Sequence, residues 1–230
     1  MACVDVLVSD SIKIDIWSDI GCPWCWIGKH KFEDGLAQYR AKDSSVPVEI
    51  EYHSFELHPD TPVDFVGTEL DWLVSSRGMP ASQIRGMMRN AAAIAEAAGT
   101  VYDYDNLKHI NSIKAHQLVH YAKARGTQHE TLNHVLKAYF LQLRGVEDVQ
   151  DLADLGAEMG FDRDDVVRSL EADEYLGEVQ ADLAQARSLG IHAVPFFIVD
   201  GKYGLSGAQD SSTFADLLQK LSDERVEVTR

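Results

Sequence analysis

Three scarcities in this sequence close off more functions than any one motif opens. Cysteine is rare: only Cys3, Cys22 and Cys25 occur among 230 residues. Three cysteines cannot build the disulfide framework of a small secreted domain. Positive charge is also in short supply, with 21 Lys and Arg against 37 Asp and Glu and a formal net charge of −16. Nucleic acids and anionic membrane surfaces demand basic patches, so neither is expected as a partner. Long apolar runs are missing as well. No window approaches ~20 apolar residues, so no membrane-spanning helix is expected. The start of the chain has no basic residue before Lys13, and Asp5 interrupts its short apolar part, which is not the pattern of a secretory signal. The expected compartment is therefore the reducing cytosol. Cys3, at an end expected to fray, reads as an inert thiol.

What is present suits a soluble globular protein: 45% hydrophobic and 25% charged residues. The length fits one main domain carrying a substantial insertion. The two remaining cysteines lie in Ser18-Asp19-Ile20-Gly21-Cys22-Pro23-Trp24-Cys25-Trp26-Ile27-Gly28. An apolar alternating run precedes them and a helical pattern follows. Strand, Cys-x-x-Cys, helix is the arrangement of a thioredoxin-type redox site. The unpaired N–H groups and partial positive charge of a helix N-terminus stabilise a thiolate placed there. Pro23 suits the first helical turn, where its missing N–H costs nothing. Cys22 is then the attacking sulfur and Cys25, a turn deeper, the resolving one. Competing readings fare worse. Zinc needs two further ligands, and only Cys3 is spare. Covalent haem attachment needs His at position 26, where Trp26 stands. Inert packing does not call for Pro-Trp between two cysteines before a helix.

Taken in order, Ile12 to Ser18 alternates as a strand, and Trp26, Phe32, Leu36 and Tyr39 recur at helical spacing up to about Lys42. Residues 46–55 read as a second strand, parallel to the first. Pro59, Pro62 and Gly67 punctuate a loop, and from there to about Leu189 the pattern is almost wholly helical, apart from a polar connection over Val101 to Asn106. Helices are expected near 68–76, 80–98 and 112–125. Another runs through Leu132, Val135, Tyr139 and Leu143 to a stop at Gly145, and one runs from Val149 to Gly160. Two more cover 164–172 and the stretch from Leu176 to Gly190. Several begin with Asp or Thr and end at Gly, as caps prefer. The strand pattern returns at Val194 to Val199, turns at Asp200-Gly201 and comes back over Lys202 to Leu205. A last helix buries Phe214, Leu217, Leu218 and Leu221. No internal repeat is evident.

Pro195 opens a strand after the lead-in Gly190-Ile191-His192-Ala193-Val194. By itself it reads as an ordinary trans proline at an edge-strand start. Beside the Cys22 motif it is expected to be cis and to face the dithiol, leaving the preceding backbone free to pair with an extended peptide. With these residues in place the chain resembles the DsbA-like thioredoxin superfamily, in its FrnE-like branch. The resemblance is carried by Ser18-Asp19, Cys22-Pro23-Trp24-Cys25 and Ile27-Gly28-Lys29. It continues with Phe55-Glu56-Leu57-His58-Pro59, Asn111-Ser112, Ala115-His116, Leu118 and Ala138-Tyr139-Phe140. Gly190-Ile191, Val194-Pro195-Phe196-Phe197 and Ser206-Gly207-Ala208-Gln209 complete it. Trp26 and Ala193 depart from the commoner residues there.

The resemblance implies an α/β thioredoxin-like fold with a large all-helical insertion. The expected boundaries are 12–60 and 186–224 for the discontinuous sheet domain and 61–185 for the insertion, with 1–11 and 225–230 as flexible termini. It implies thiol–disulfide exchange by catalytic Cys22, Cys25 and Pro195, with Pro23, Trp24, Phe55, Asn111, His116 and Val194 around the substrate. No bound cofactor or metal is expected. The implied partners are thiol or disulfide proteins and peptides, with glutathione as a candidate co-substrate and a thioredoxin-type system as a candidate recycler. Several roles stay open. Asn111 can equally be an N-cap, and Asp19 either caps the turn, the favoured reading, or takes a proton from Cys25. His116 and His120 have a metal-compatible spacing, but no third ligand is evident and a solvated pair is favoured. Two other functions compete. A glutathione-dependent isomerase or transferase of the 2-hydroxychromene-2-carboxylate isomerase and kappa-class type would use a Ser-type residue at position 22, and the intact cysteine pair weighs against it. A chaperone cleft lacks an exposed apolar run to demand it.

Overall fold

A computed structural model of the chain describes residues 11–42, 46–101 and 103–228. Cys3 and the rest of the expected flexible N-terminus up to residue 10 lie outside them, as do residues 229–230. Four strands build one mixed sheet in the order β2-β1-β3-β4. These are β1 Ile12–Ser18, β2 Val48–Ser54, β3 Phe196–Val199 and β4 Tyr203–Ser206. β1 pairs parallel with β2, Ile12 opposite Val48, and antiparallel with β3, Ile16 opposite Phe197. Between β1 and β2 runs α1, Pro23–Arg40. After β2 come α2 Glu69–Arg77, α3 Ala81–Ala97, α4 Ile113–Lys123, α5 Gln128–Phe140, α6 Val149–Glu158, α7 Arg163–Glu171 and α8 Leu176–Ser188. The chain closes with α9, Ser211–Val228. This is the sheet domain interrupted by helices that the sequence pattern leads one to expect.

The alternation in β1 places Ile12, Ile14 and Ile16 in the core and leaves Lys13 exposed. On that side α1 and α9 pack through Phe32, Phe197 and Phe214, whose ring centroids lie 4.8–5.6 Å apart. The two helices approach closely at Gly35, where a side chain would run into the Ser211 carbonyl and Phe214. On the other side α8 meets β1 and β2, with the Trp17 indole N–H donating to the Asp182 carbonyl at 3.4 Å. One continuous hydrophobic cluster joins β1, α1 and α9 to Leu118, Leu136 and Leu155 of the insertion, so the helices share the sheet's core. The outer edge of β2 is closed by Gln128. Its amide accepts from the Tyr52 N–H at 3.1 Å and donates to the Tyr52 carbonyl at 2.8 Å. Covering a free edge in this way removes a template for unwanted strand pairing.

Local chemistry explains most element ends. Thr68 and Asp71 form a reciprocal capping box at α2, and Asp148 and Asp162 cap α6 and α7. Asp200 and Gly201, at φ 57° and 65°, are the central residues of the turn between β3 and β4, which closes through the Lys202 N–H on the Val199 carbonyl at 3.1 Å. Three expected ends are corrected. α5 stops at Phe140, short of Gly145: Leu143 takes the left-handed turn at φ 54°, and the Arg144 N–H reaches back to the Ala138 carbonyl at 2.9 Å. β3 begins at Phe196, two residues after the expected start at Val194. The chain from 225 to 228 is not a loose tail. α9 continues to Val228, and Arg225 donates to Asp200 and to the Ser11 carbonyl.

Candidate active site

The turn after β1 delivers Cys22 as the N-cap residue of α1, with φ −90° and ψ 113° and Pro23 in the first turn. The Cys25 and Trp26 N–H groups point back at the Cys22 carbonyl at 3.0 and 3.2 Å. No acidic residue lies in that first helical turn to cancel the dipole. Cys22 is 2% exposed and sits with Trp17, Cys25, Ile191 and Val194 in a small apolar cluster, onto which Phe55 packs. The Val194–Pro195 peptide bond is cis, and the Val194 carbonyl accepts from the Cys22 thiol at 3.9 Å. Gly207 ties the other side of this wall by donating its N–H to the Pro195 carbonyl at 2.8 Å.

The two sulfurs live in different electrostatic environments. Burial pushes the Cys25 thiol well above the usual cysteine range, and the hydrogen bond and charge of Cys22 push it further. The Asp19 N–H, donating to the Cys25 sulfur at 3.5 Å, works the other way and is outweighed. Cys25 is thus held as a thiol beside Cys22.

Asp19 fills the capping role. Its carboxylate accepts from the Leu57 N–H at 2.7 Å and the Gly21 N–H at 3.3 Å, and pairs with His116 Nε2 at 3.3 Å. Burial alone would raise this carboxyl. The hydrogen bond and charge of His116, with those from Ser112 and Leu57, hold it below the usual range instead. Asp19 therefore fastens the 55–58 segment to the Cys22 turn.

The expected substrate-binding residues divide. Pro23 and Trp24 line a cavity on which Cys22 opens. Val194 faces Cys22 through its carbonyl, and Phe55 packs beside it. Asn111 and His116 are committed elsewhere. Asn111 donates to the Thr61 carbonyl at 2.9 Å and accepts from the Ile113 N–H at 3.2 Å; it stands one residue before Ser112, the N-cap of α4, so it is not itself the N-cap. His116 is 4% exposed and donates to the Phe55 carbonyl as well as to Asp19. Both brace the loop behind the cavity. Sequence reasoning missed the opposite wall, which comes from α2 and α3: Leu73, Arg77, Ile84, Met88 and Ala91. Its trace in sequence is the spacing of Ile84, Met88, Ala91 and Ala95, an apolar helix face.

Trp26 locks this wall to α1. It is fully buried, donates to the Thr100 hydroxyl at 2.8 Å and stacks on Phe140 with centroids 5.9 Å apart. Buried Lys29, also on α1, ties that helix to α5, bonding Glu33 at 2.7 Å and Asn133 of α5 at 2.9 Å. Burial would raise the Glu33 carboxyl, but the His129 hydrogen bond and the Lys29 charge outweigh it and hold it at about 2. As for metals, His116 and His120 diverge: His120 bonds Ser54 and Asp182 at 3.1 and 3.0 Å. Asp15, Glu51 and His53 do bring ligand atoms within 4.8 Å of one another. Lys13 and Lys123 pair with the two carboxylates, and His53 uses both ring nitrogens on Asp15 and Asp182.

A protein of Bacillus subtilis (strain 168) described as the uncharacterized protein YwbO is 28% identical over 222 residues, 94% of this chain and 98% of its own. The crystal structure of the probable DsbA oxidoreductase SCO1869 from Streptomyces coelicolor is 37% identical. It covers 91% of this chain and 89% of its own, with a TM-score of 0.82. The cytosolic disulfide reductase DsbM from Pseudomonas aeruginosa, solved with GSH, shares the fold at 16% identity and a TM-score of 0.62, covering 94% and 99% of the two chains. The family model for the DSBA-like thioredoxin domain matches residues 13–219, from the second residue of β1 into α9, and the chain belongs to that family.

Proposed function

We propose that this protein is a cytoplasmic thiol–disulfide oxidoreductase or isomerase of the FrnE-like kind, working through Cys22 and Cys25 against the Pro195 wall. Cys22 thiolate attacks one sulfur of a substrate disulfide, a Cys22–substrate mixed disulfide forms, and a substrate thiolate leaves. Cys25 then gives up its proton, attacks the Cys22 sulfur and releases the second substrate thiolate. Two electrons pass to the substrate, and the protein is left as the Cys22–Cys25 disulfide; the reverse sequence oxidises a dithiol. The observation that carries the reading is the pairing of a helix-capping Cys22 with a deeply buried, protonated Cys25. Substrates are thiol- or disulfide-bearing proteins, peptides or small molecules, and glutathione or a thioredoxin-type system restores the starting form. Titration against a glutathione buffer tests this. A single two-electron transition is expected in the wild type and none in Cys22→Ser. Retention of exchange activity by Cys22→Ser overturns the assignment.

A further inference from the structure

The cavity at Cys22 holds about 240 Å³ and lies between the first turn of α1 and the α2–α3 pair. Leu57, Leu73, Ile84, Met88 and Ala91 give it an apolar lining. Arg77 and Asn90 also line it. Neither side chain makes a hydrogen bond or ion pair to another described residue. The one carboxylate on the wall, Glu69, is taken by His109 at 2.6 Å. Arg77 is solvent-exposed at the rim, and unlike most of the described Lys and Arg side chains it has no carboxylate within ion-pair distance. Cys22 is 2% exposed, and this cavity opens onto it. The volume is below the roughly 300–1,000 Å³ of drug-sized sites, which suits one substituted ring or a short branched acid.

Resting on the exchange chemistry proposed above, we infer that the cavity selects low-molecular-weight disulfides whose thiol half is an apolar body carrying a carboxylate. Arg77 holds the carboxylate, the Leu73–Met88 wall holds the body, and the sulfur meets Cys22. One RS⁻ leaves as Cys22–S–S–R forms. The second leaves when Cys25 closes the internal disulfide, so reduction of RSSR is balanced by oxidation of the protein dithiol.

The test uses reduced full-length protein carrying Cys3→Ser, so that only the site thiols report. Two probes are compared in single turnover at about 0.15 M salt, where exposed charges are screened beyond about 8 Å. One is the anionic ring disulfide dithiobis(nitrobenzoate), the other the uncharged dithiodipyridine. The wild-type rate is expected to saturate with the anionic probe. Arg77→Gln should lower its second-order rate about tenfold, the scale of a lost charge-assisted hydrogen bond, and Arg77→Glu further. Dithiodipyridine should change less than twofold in either variant, and Lys220→Glu on α9 should alter neither probe. If Arg77→Gln leaves the anionic probe unchanged, or slows both probes equally, the inference is overturned while the exchange function stands. If neither probe reacts with wild-type Cys22 faster than with a free thiol, the exchange function itself falls.

Discussion

Gly28 lies directly against the ring of Pro195: a β-carbon at position 28 would sit 2.7 Å from the proline Cγ and 3.5 Å from Ala208 Cα. The first helix and the wall facing the dithiol are thus spaced by the absence of a side chain. Gly28→Ala gains about 1 kcal/mol of helix propensity. It loses about 1–3 kcal/mol by overpacking a site whose neighbours are a ring and a backbone. We expect net destabilisation of about 1 kcal/mol and, because the displaced residue is Pro195, a fall in insulin reduction of more than tenfold. Urea denaturation and the turnover assay check the two parts. Activity that falls no more than stability explains would show that the spacing is incidental.

In the proposed exchange, the buried Cys25 thiol should make resolution the pH-sensitive step. Its pKa lies above the ordinary cysteine value through burial first, so at neutral pH only a small fraction is thiolate. Once Cys22 is tied up in a mixed disulfide its charge is gone, but the burial remains. The rate of resolution should therefore rise about tenfold per pH unit from pH 6 to 8, following the thiolate fraction. Rapid acid quench and mass spectrometry of the mixed disulfide read this directly. A flat profile would mean that Cys25 is not the resolving thiol.

Much of this site is legible in the sequence because its parts are encoded locally. Cys22-Pro23-Trp24-Cys25 marks a helix start by its own chemistry, and Asp200-Gly201 marks a turn in the same way. Pro195 gains its meaning from the cysteine motif even though 170 residues separate Cys25 from it. Elsewhere local pattern and tertiary context part company. Leu143 continues the apolar spacing of α5, yet it is 37% exposed and lies beyond the helix. Asn111 and His116 are residue types that suit a binding site, but their hydrogen-bonding capacity goes to backbone and to Asp19. The α2–α3 wall could not be placed, because an amphipathic face says that a helix packs and not what it packs over.

The Asp19–His116 pair should behave as a unit. Asp19→Asn removes the charge that His116 meets and replaces one acceptor oxygen with an NH2 donor, which must face either the Leu57 N–H or His116, at an expected cost of about 3 kcal/mol. His116→Gln should cost less, since Leu57 and Gly21 still donate to the carboxylate. In the double variant the losses should overlap by about 1 kcal/mol or more. Additive losses in a urea-denaturation cycle would refute the coupling.

The last expectation concerns His53, wedged between Asp15 and Asp182 at 2.9 Å on each ring nitrogen and stacked on Trp17 with centroids 4.4 Å apart. Burial disfavours its charge, but the hydrogen bonds to the two carboxylates outweigh that and lift its pKa from 6.5 to about 9. A neutral ring has one N–H and can satisfy only one of these carboxylates, so deprotonation strands the other. The folded-state value is the higher one. The stabilisation is therefore complete below about pH 6.5 and is lost as pH rises through about 9. Asp182 has the opposite sign. Burial is overcome by His120, His53 and the Ser54 N–H, so its depressed carboxyl contributes above its ordinary value of 3.8 and fails only in strong acid. Between pH 6 and 10 both carboxylates stay ionised, so the pH dependence of the difference between wild type and a His53 variant should report His53. The stability gap between wild type and His53→Gln should shrink by roughly 2 kcal/mol over that range. Urea denaturation at pH 6, 8 and 10 measures it, and a gap constant with pH would mean that His53 is neutral in the folded protein.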